Sequence, residues 1–381
     1  MNEPVSASAV AVIVPVFNRL ELLRQTVASL RAQTLARAEF ILVDDRSDEA
    51  TWNYLQGLPA QDPRFRILRK PETQPRGCQS SRNVGLEDCR AEAVMFLDSD
   101  DLLAPECLET RYRELMEHPA ADLLVGRQAM FWDHPGSLRW VNVPLPARAD
   151  LERCLDLLDP LDVPWVNGGV MIRTTRLREV GVVWSTRYHW DDLAFHFSCL
   201  VSGLRARWME YGDEPPDSYY RKHVGEHYGQ TLRTPEGIRN SASMMGWMKA
   251  RLEQAGEWTK QRRHALVKSF FHVCVLRPVD DGEYRLVVEL LDAAVSSGLL
   301  TPAEQQRFRR YARVRRMLKV SARATYYWNR WARRTFLREY FANTPWTYGS
   351  VCPPSPVSEK ALGQVLELAI ATTASAVQSP D

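Results

Sequence analysis

A run of apolar residues that breaks into carboxylates constrains this chain more than any other stretch. Val94-Met95-Phe96-Leu97 passes directly into Asp98-Ser99-Asp100-Asp101. Ala93–Leu97 is too short for a helix and reads as a buried strand. The carboxylates then fall at the carboxyl end of that strand, where open α/β sheets bind their ligands. Charges this close repel unless a cation lies between them. A hard divalent ion such as Mg²⁺ or Mn²⁺, its shell completed by phosphate oxygens, meets that need. The plainer alternative is a solvated acidic turn, Asp101 included, ahead of a helix opening at Pro105.

The flanking sequence repeats the pattern. Ala9–Val16 is almost continuously apolar, as a strand covered on both faces must be. Asn18 with Glu21 predicts an N-cap and its capping-box partner. Leu20, Leu23, Val27 and Leu30 then recur at helical spacing. Strands are expected at 39–43, 65–68, 93–97 and 122–125, with helices at 49–58, 79–89 and 105–117 between them. Such alternation predicts an α/β fold with a doubly wound, mostly parallel sheet. Phe17-Asn18-Arg19, Asp44-Asp45 and Asp98-Ser99-Asp100 would then meet along one sheet edge. There is no Gly-x-Gly-x-x-Gly and no Walker loop. Phosphates would have to be met by a metal and arginines.

Composition narrows the class. The chain has 381 residues, 45% of them hydrophobic and 25% charged, which is the balance of a globular protein. No apolar run approaches the roughly 18 residues of a membrane span. Met1–Ser8 lacks the pattern of a signal peptide. Seven scattered cysteines without a Cys-x-x-Cys pair fit free thiols in a reducing compartment. The expectation is a cytoplasmic protein. Net charge is +2 but uneven: 28 Lys/Arg against 35 Asp/Glu in residues 1–240, and 21 against 12 in 241–381. The C-terminal third is therefore expected to face an anionic neighbour.

Five elements in order resemble the inverting family-2 glycosyltransferases of the GT-A fold. They are Val14-Pro15-Val16-Phe17-Asn18-Arg19, Val43-Asp44-Asp45-Arg46-Ser47, Ser81-Arg82-Asn83-Val84-Gly85-Leu86, Phe96-Leu97-Asp98-Ser99-Asp100-Asp101 and Trp190-Asp191-Asp192. The resemblance covers about residues 9–230. It implies a nucleotide-sugar donor, with UDP-sugar the first expectation, and a divalent metal, Mn²⁺ or Mg²⁺. Pro15, Phe17 and Arg19 would wall the nucleotide pocket. Asp45 would accept from a base N–H, or merely cap a helix. Arg82 would contact the donor, or lie on a helix surface. Asp98 would touch the donor's ribose or sugar and share the metal with Asp100.

Inversion at the anomeric carbon needs a base for the acceptor hydroxyl. The family's base is the Asp of a Glu-Asp pair at a helix start. The pair here is Asp191-Asp192, which departs from that pattern; Asp192 is the preferred residue and Asp191 the alternative. Arg221 and His223 lie in an Arg-x-His element. His223 would be a third metal ligand or a diphosphate contact, with His227 competing, and Arg221 a phosphate contact. Gly168 and Gly169 would let an acceptor approach the backbone. His189 and Trp190 are acceptor-site candidates, Trp190 by stacking on sugar unless it simply packs.

The resemblance divides the chain into a catalytic domain at 1–235, with a donor half at 9–130 and an acceptor half at 131–235. A helical basic region follows at 236–352, and a loosely held tail at 353–381 with a short helix near 360–370. Twelve Lys/Arg interleaved with aromatics lie between Arg307 and Arg338. That composition suits an anionic membrane surface on the inner face. It equally suits a helix packed on the catalytic domain. The expected acceptor is a saccharide or lipid-linked saccharide of a cell-surface polymer, and nucleic acid is not an expected partner. Two rival functions are a haloacid-dehalogenase-like phosphotransferase with Asp98 as nucleophile, and an inactive sugar-binding scaffold at the membrane.

Overall fold

The computed structural model describes residues 8–132, 138, 140–142, 165, 167–209, 214–222, 228–317, 351–352 and 356–377. Among the described residues, twelve strands form two sheets that frame the site. A seven-stranded sheet has the order β10-β6-β9-β4-β1-β2-β3. Its strands are β1 (Val10–Val16), β2 (Ala38–Asp44), β3 (Phe65–Arg69), β4 (Ala93–Phe96), β6 (Leu123–Val125), β9 (Val170–Arg173) and β10 (Ala206–Trp208). β1 pairs in parallel with β2 and β4, and β2 with β3. β9 is antiparallel to both β4 and β6. The sheet is thus mostly parallel, as expected, with one reversed strand.

Period-two alternation distributes the strands' side chains between two cores. Ala11 and Ile13 of β1, Ile41 and Val43 of β2, and Val94 and Phe96 of β4 face one core. Val12 and Val14, Phe40 and Leu42, and Ala93 and Met95 face the other. On that second side lie α1 (Leu20–Arg31), α2 (Glu49–Gln61) and α4 (Cys107–Glu117), through Leu23, Leu55 and Leu108. On the first lie α3 (Cys78–Asp88) and α6 (Asp191–Val201); α5 (Thr174–Glu179) follows β9. The uninterrupted apolar character of β1 follows from this double cover. Each such fully buried Val or Ile contributes about 1.5–3 kcal/mol.

A smaller sheet has the order β12-β8-β7-β11-β5. It joins β5 (Leu102–Leu103), β7 (Gln128–Trp132), β8 (Trp140–Asn142), β11 (Ser218–Lys222) and β12 (Val351–Cys352). β5 directly follows the acidic run, so the run is a corner between the two sheets.

The C-terminal helices are α7 (Pro235–Gln254), α8 (Lys260–Phe270), α9 (Arg277–Asp280), α10 (Tyr284–Ser296) and α11 (Pro302–Met317). Met244, Met248, Phe270, Leu290 and Phe308 share one continuous core with α6. α7 starts at the proposed boundary, with Pro235 in its first turn and Thr234 accepting the Gly237 N–H.

A last helix, α12, runs from Pro356 to Val377. It is longer than the short helix expected at 360–370, and it is not loose. Its Leu362, Val365, Leu366 and Ala369 are buried against Ala28 of α1 and Leu102, Ala129, Phe131 and Tyr219 of the smaller sheet. An apolar stripe at helical spacing meets that apolar face.

Candidate functional site

The site forms where β1 and β4 part. Leu97 N–H donates to the Ile13 carbonyl, and Asp45 N–H to the Val16 carbonyl. Odd residues of β1 therefore face β4 and even ones face β2. Pro15 falls on the β4 side, just past the last ladder bond. A residue without an N–H costs nothing there, and the chain can turn away. The strand order also reverses at this point, which is where a ligand crevice opens in such sheets.

Backbone strain gathers at the same edge. Asn18, Arg19 and Arg46 are non-glycine residues with φ of 54°, 58° and 63°. Each left-handed residue costs about 1–2 kcal/mol, and such residues concentrate at ligand sites. Asn18 is accordingly not an N-cap. Its backbone N–H donates to Ser47 Oγ at 2.9 Å, and its Oδ1 accepts the Asp48 N–H at 2.8 Å. The residue ties the β1 turn to the β2 turn. Phe17 stands half exposed with the Arg76 guanidinium 5.6 Å from its ring centre.

Asp44 and Asp45 divide their roles. Asp44 is fully buried and accepts the N–H groups of Arg46 and Ser47, which makes the turn. Asp45 lines the floor. Its Oδ1 pairs with Lys70 Nζ at 2.7 Å, and its Oδ2 accepts the Gly77 N–H at 2.7 Å. Gly77 has φ 121°, which a side chain would strain. Lys70 is a residue the sequence reading missed. It follows β3 at the same sheet edge, a position that could have marked it. Burial lowers its proton affinity, and the Asp45 pair opposes that.

The acidic corner is held by arginines. Arg19 Nη1 donates to Asp100 Oδ2 at 3.0 Å. Arg82 Nη2 donates to Asp98 Oδ1 at 2.5 Å, and its Nη1 to Asp191 Oδ2 at 2.6 Å. The Arg82 side chain is only 3% exposed and lies 4.3 Å from the Trp184 ring centre. It is not a helix-surface residue. Asp101, expected to be solvated, is buried and accepts the Arg221 N–H through Oδ1 at 2.8 Å. Burial, then the neighbouring Asp100 and Asp98, push its carboxyl well above the usual range.

Arg221 is also reassigned. Its Nε donates to the Asp100 carbonyl and its Nη2 to Gln25 Oε1, both at 2.8 Å, and Phe131 lies under its guanidinium. A buried guanidinium so placed anchors the Asp100–Asp101 turn rather than reaching for phosphate. Its neighbours Tyr220 and Lys222, which the sequence did not single out, carry a 3.3 Å hydrogen bond from Lys222 Nζ to the Tyr220 hydroxyl. His223 and His227 lie outside the described residues.

The acceptor-side glycines serve packing. Arg111 Nη1 donates to the Gly168 carbonyl at 2.8 Å. A Cβ on Gly169 would come within 2.8 Å of Gln128 Oε1. Both glycines are buried, and their close neighbours are protein atoms. Trp190 is half-buried against the α6–α7 core, with its Nε1–H on Ser241 Oγ at 2.9 Å. It packs. His189, beside it, donates its backbone N–H to Asn240.

Asp191 and Asp192 open α6 and have different surroundings. Asp191 is paired with Arg82 and also receives the Cys78 thiol at 3.6 Å. Burial pushes that thiol up to about 12, so it stays a donor. Asp192 accepts only the Leu193 N–H among the described residues. Burial, then the Asp191 charge, push its carboxyl up to about 7. A carboxylate with that proton affinity is matched to removing a proton near neutral pH.

Asp98 and Asp100 offer hard carboxylate oxygens. No cluster of three or more His, Cys, Asp or Glu forms a cage among the described residues. That donor set fits an ion such as Mg²⁺ or Mn²⁺ that keeps water and takes phosphate oxygens for the rest of its shell.

Known proteins resemble the chain in sequence and in fold. Residues 11–144 match the family described as glycosyl transferase family 2. The poly(ribitol-phosphate) β-N-acetylglucosaminyltransferase TarP of Staphylococcus aureus is 36% identical over 122 residues, 31% of this chain and 36% of that protein. Glycosyltransferase GlyA of Streptococcus pneumoniae is 32% identical over 127 residues, 33% of this chain and 18% of that protein. The chain thus spans well under half the length of these relatives. The crystal structure of S. aureus TarS 1–349 in complex with UDP-GlcNAc superposes with TM-score 0.59 at 17% identity, covering 91% of this chain and 96% of that one. A likeness at that identity speaks to fold, and the family match speaks to the domain. Residues 11–144 thus match glycosyl transferase family 2, and the chain shares its fold with the TarS structure.

Proposed function

We propose that the protein is a metal-dependent, inverting glycosyltransferase that uses a UDP-sugar. One observation carries the reading: Asp192, with a proton affinity near neutrality, opens α6 beside a sheet edge that presents Asp45, Asp98 and Asp100. The uracil-type base would lie between Phe17 and the Asp45 floor, with Pro15 and Arg19 beside it. Asp98 and Asp100 would hold the divalent ion, which when bound neutralises charge growing on a leaving diphosphate. Asp192 would take the proton of the attacking hydroxyl. The named partners of TarS and TarP, UDP-GlcNAc and a poly(ribitol phosphate), support a UDP-sugar donor and a cell-surface polymer as acceptor. Measuring UDP release from UDP-GlcNAc with Mn²⁺ present and chelated tests the reading. No metal-dependent release or binding of any UDP-sugar would defeat it.

Asp100→Ala is expected to abolish Mn²⁺-dependent UDP binding and leave the fold intact. The ion pair it removes involves a half-exposed Arg19, and such surface pairs contribute about 0–1 kcal/mol. Calorimetric titration of UDP with Mn²⁺ into both proteins checks this. Equal affinities would remove Asp100 from the metal site.

An acceptor at the inner membrane face would give the basic C-terminal third its use. In the described part of that stretch, Phe308 and Tyr311 are core residues, and Arg309 and Arg315 pair with Asp292 and Asp280. The attraction would rest on the six Lys/Arg of 318–338, which lie outside the described residues. Among the described residues no helix is long and apolar enough to cross a membrane. Co-sedimentation with phosphatidylglycerol vesicles is expected at low salt and should weaken as salt screens it. Sedimentation that ignores salt would count against surface binding.

A further inference from the structure

The Arg82 side chain touches both halves of the site. Asp98 belongs to the β4 corner, and Asp191 to the first turn of α6, 109 residues from Arg82 in the chain. The guanidinium lies over Trp184, which stacks on Phe195 of α6 at 4.1 Å and 2°. Asn83, the next residue, is bonded at both ends of its amide to the Trp184 backbone, at 2.8 and 2.9 Å. α3 and α6 are therefore joined by one polar and aromatic staple. A planar fork can serve two carboxylates at fixed separation; an ammonium cannot. Without that fork, Asp98, Asp191 and Asp192 would face one another with no shared cation.

We propose that Arg82 is a positioning residue that sets the first turn of α6, and with it Asp192, against the donor corner. The proposal rests on the glycosyl-transfer reading above. It differs from a donor-binding role in what it moves. A donor ligand acts on donor affinity. A staple acts on the rate at saturating donor, because misplacing a reacting group by about 1 Å costs about 10²-fold.

The test uses the full chain with UDP-GlcNAc and Mn²⁺ as probes. UDP Kd is measured by calorimetry, and kcat for UDP release with water as acceptor. Arg82→Lys is expected to keep the wild-type UDP Kd within about threefold and lower kcat by about 10²-fold. Asp191→Asn cuts the same staple from the other side and should show the same split. It also carries the test alone if Arg82→Lys does not fold. The double variant should be little worse than either single one, since both remove one interaction. A weakened UDP Kd with kcat unchanged at saturation would make Arg82 a donor ligand and overturn the proposal. So would unchanged values in both variants, or effects that multiply in the double variant. If the wild type neither binds nor releases UDP, the glycosyl-transfer reading fails first. That outcome is visible without any variant.

Discussion

Asp192→Asn is expected to lower kcat by about 10²–10⁴-fold, the contribution of a well-placed general base. UDP and metal binding should not change, because Asp45, Asp98 and Asp100 lie on the sheet edge and Asp192 on α6. The loss should fall on kcat rather than KM, since proton removal matters only in the transition state. The wild type should show activity rising with pH through about 7, where the raised carboxyl ionises. The variant should lack that limb. The sign for stability is opposite to that of a paired carboxylate. Burial raises this group's folded-state pKa, so its protonated form is favoured by folding. That contribution is full below the unfolded carboxylate range and lost as pH rises through about 7. At pH 8 the Asn variant should therefore melt no lower than wild type. Asp191→Asn should cost less than Asp192→Asn. The reverse order would make Asp191 the base, and full activity in both would place the base elsewhere, with His189 next to test.

Leu362→Ala in the last helix is expected to cost about 2–5 kcal/mol, the range for emptying a buried leucine site. Leu362 is fully buried, and α12 covers Leu102, Phe131 and Tyr219. The effect should reach the donor site. Leu102 directly follows the acidic run, and Phe131 supports the Arg221 guanidinium that bonds the Asp100 carbonyl. Removing residues 356–381 altogether should unseat that corner and weaken Mn²⁺-dependent UDP binding together with stability. Chemical denaturation and calorimetry on the same two variants would read both quantities. A truncated chain with wild-type stability and UDP affinity would show that α12 is dispensable.

Local rules were enough for the frame of this protein. A strand buried on both faces must be continuously apolar, and β1, β2 and β4 are. Polar residues at the ends of such strands have to converge, so the sequence alone brings Asp45, Asp98 and Asp100 to one sheet edge. The order and spacing of five short motifs carried the family. Other features depend on which elements meet, and no local rule reaches that. Arg82 reads as an ordinary helical arginine until α6 brings Asp191 to its other nitrogen. Arg221 sits in a motif that suggested phosphate, yet pairing of β11 with β5 turns it onto the acidic corner instead. Gly168 and Gly169 signalled a close approach, but only packing could say that Arg111 and Gln128 make it. The difference between Asp191 and Asp192 has the same origin. Two adjacent carboxylates are identical as sequence, and the tertiary structure separates them by giving one an arginine and leaving the other half-buried beside its charge.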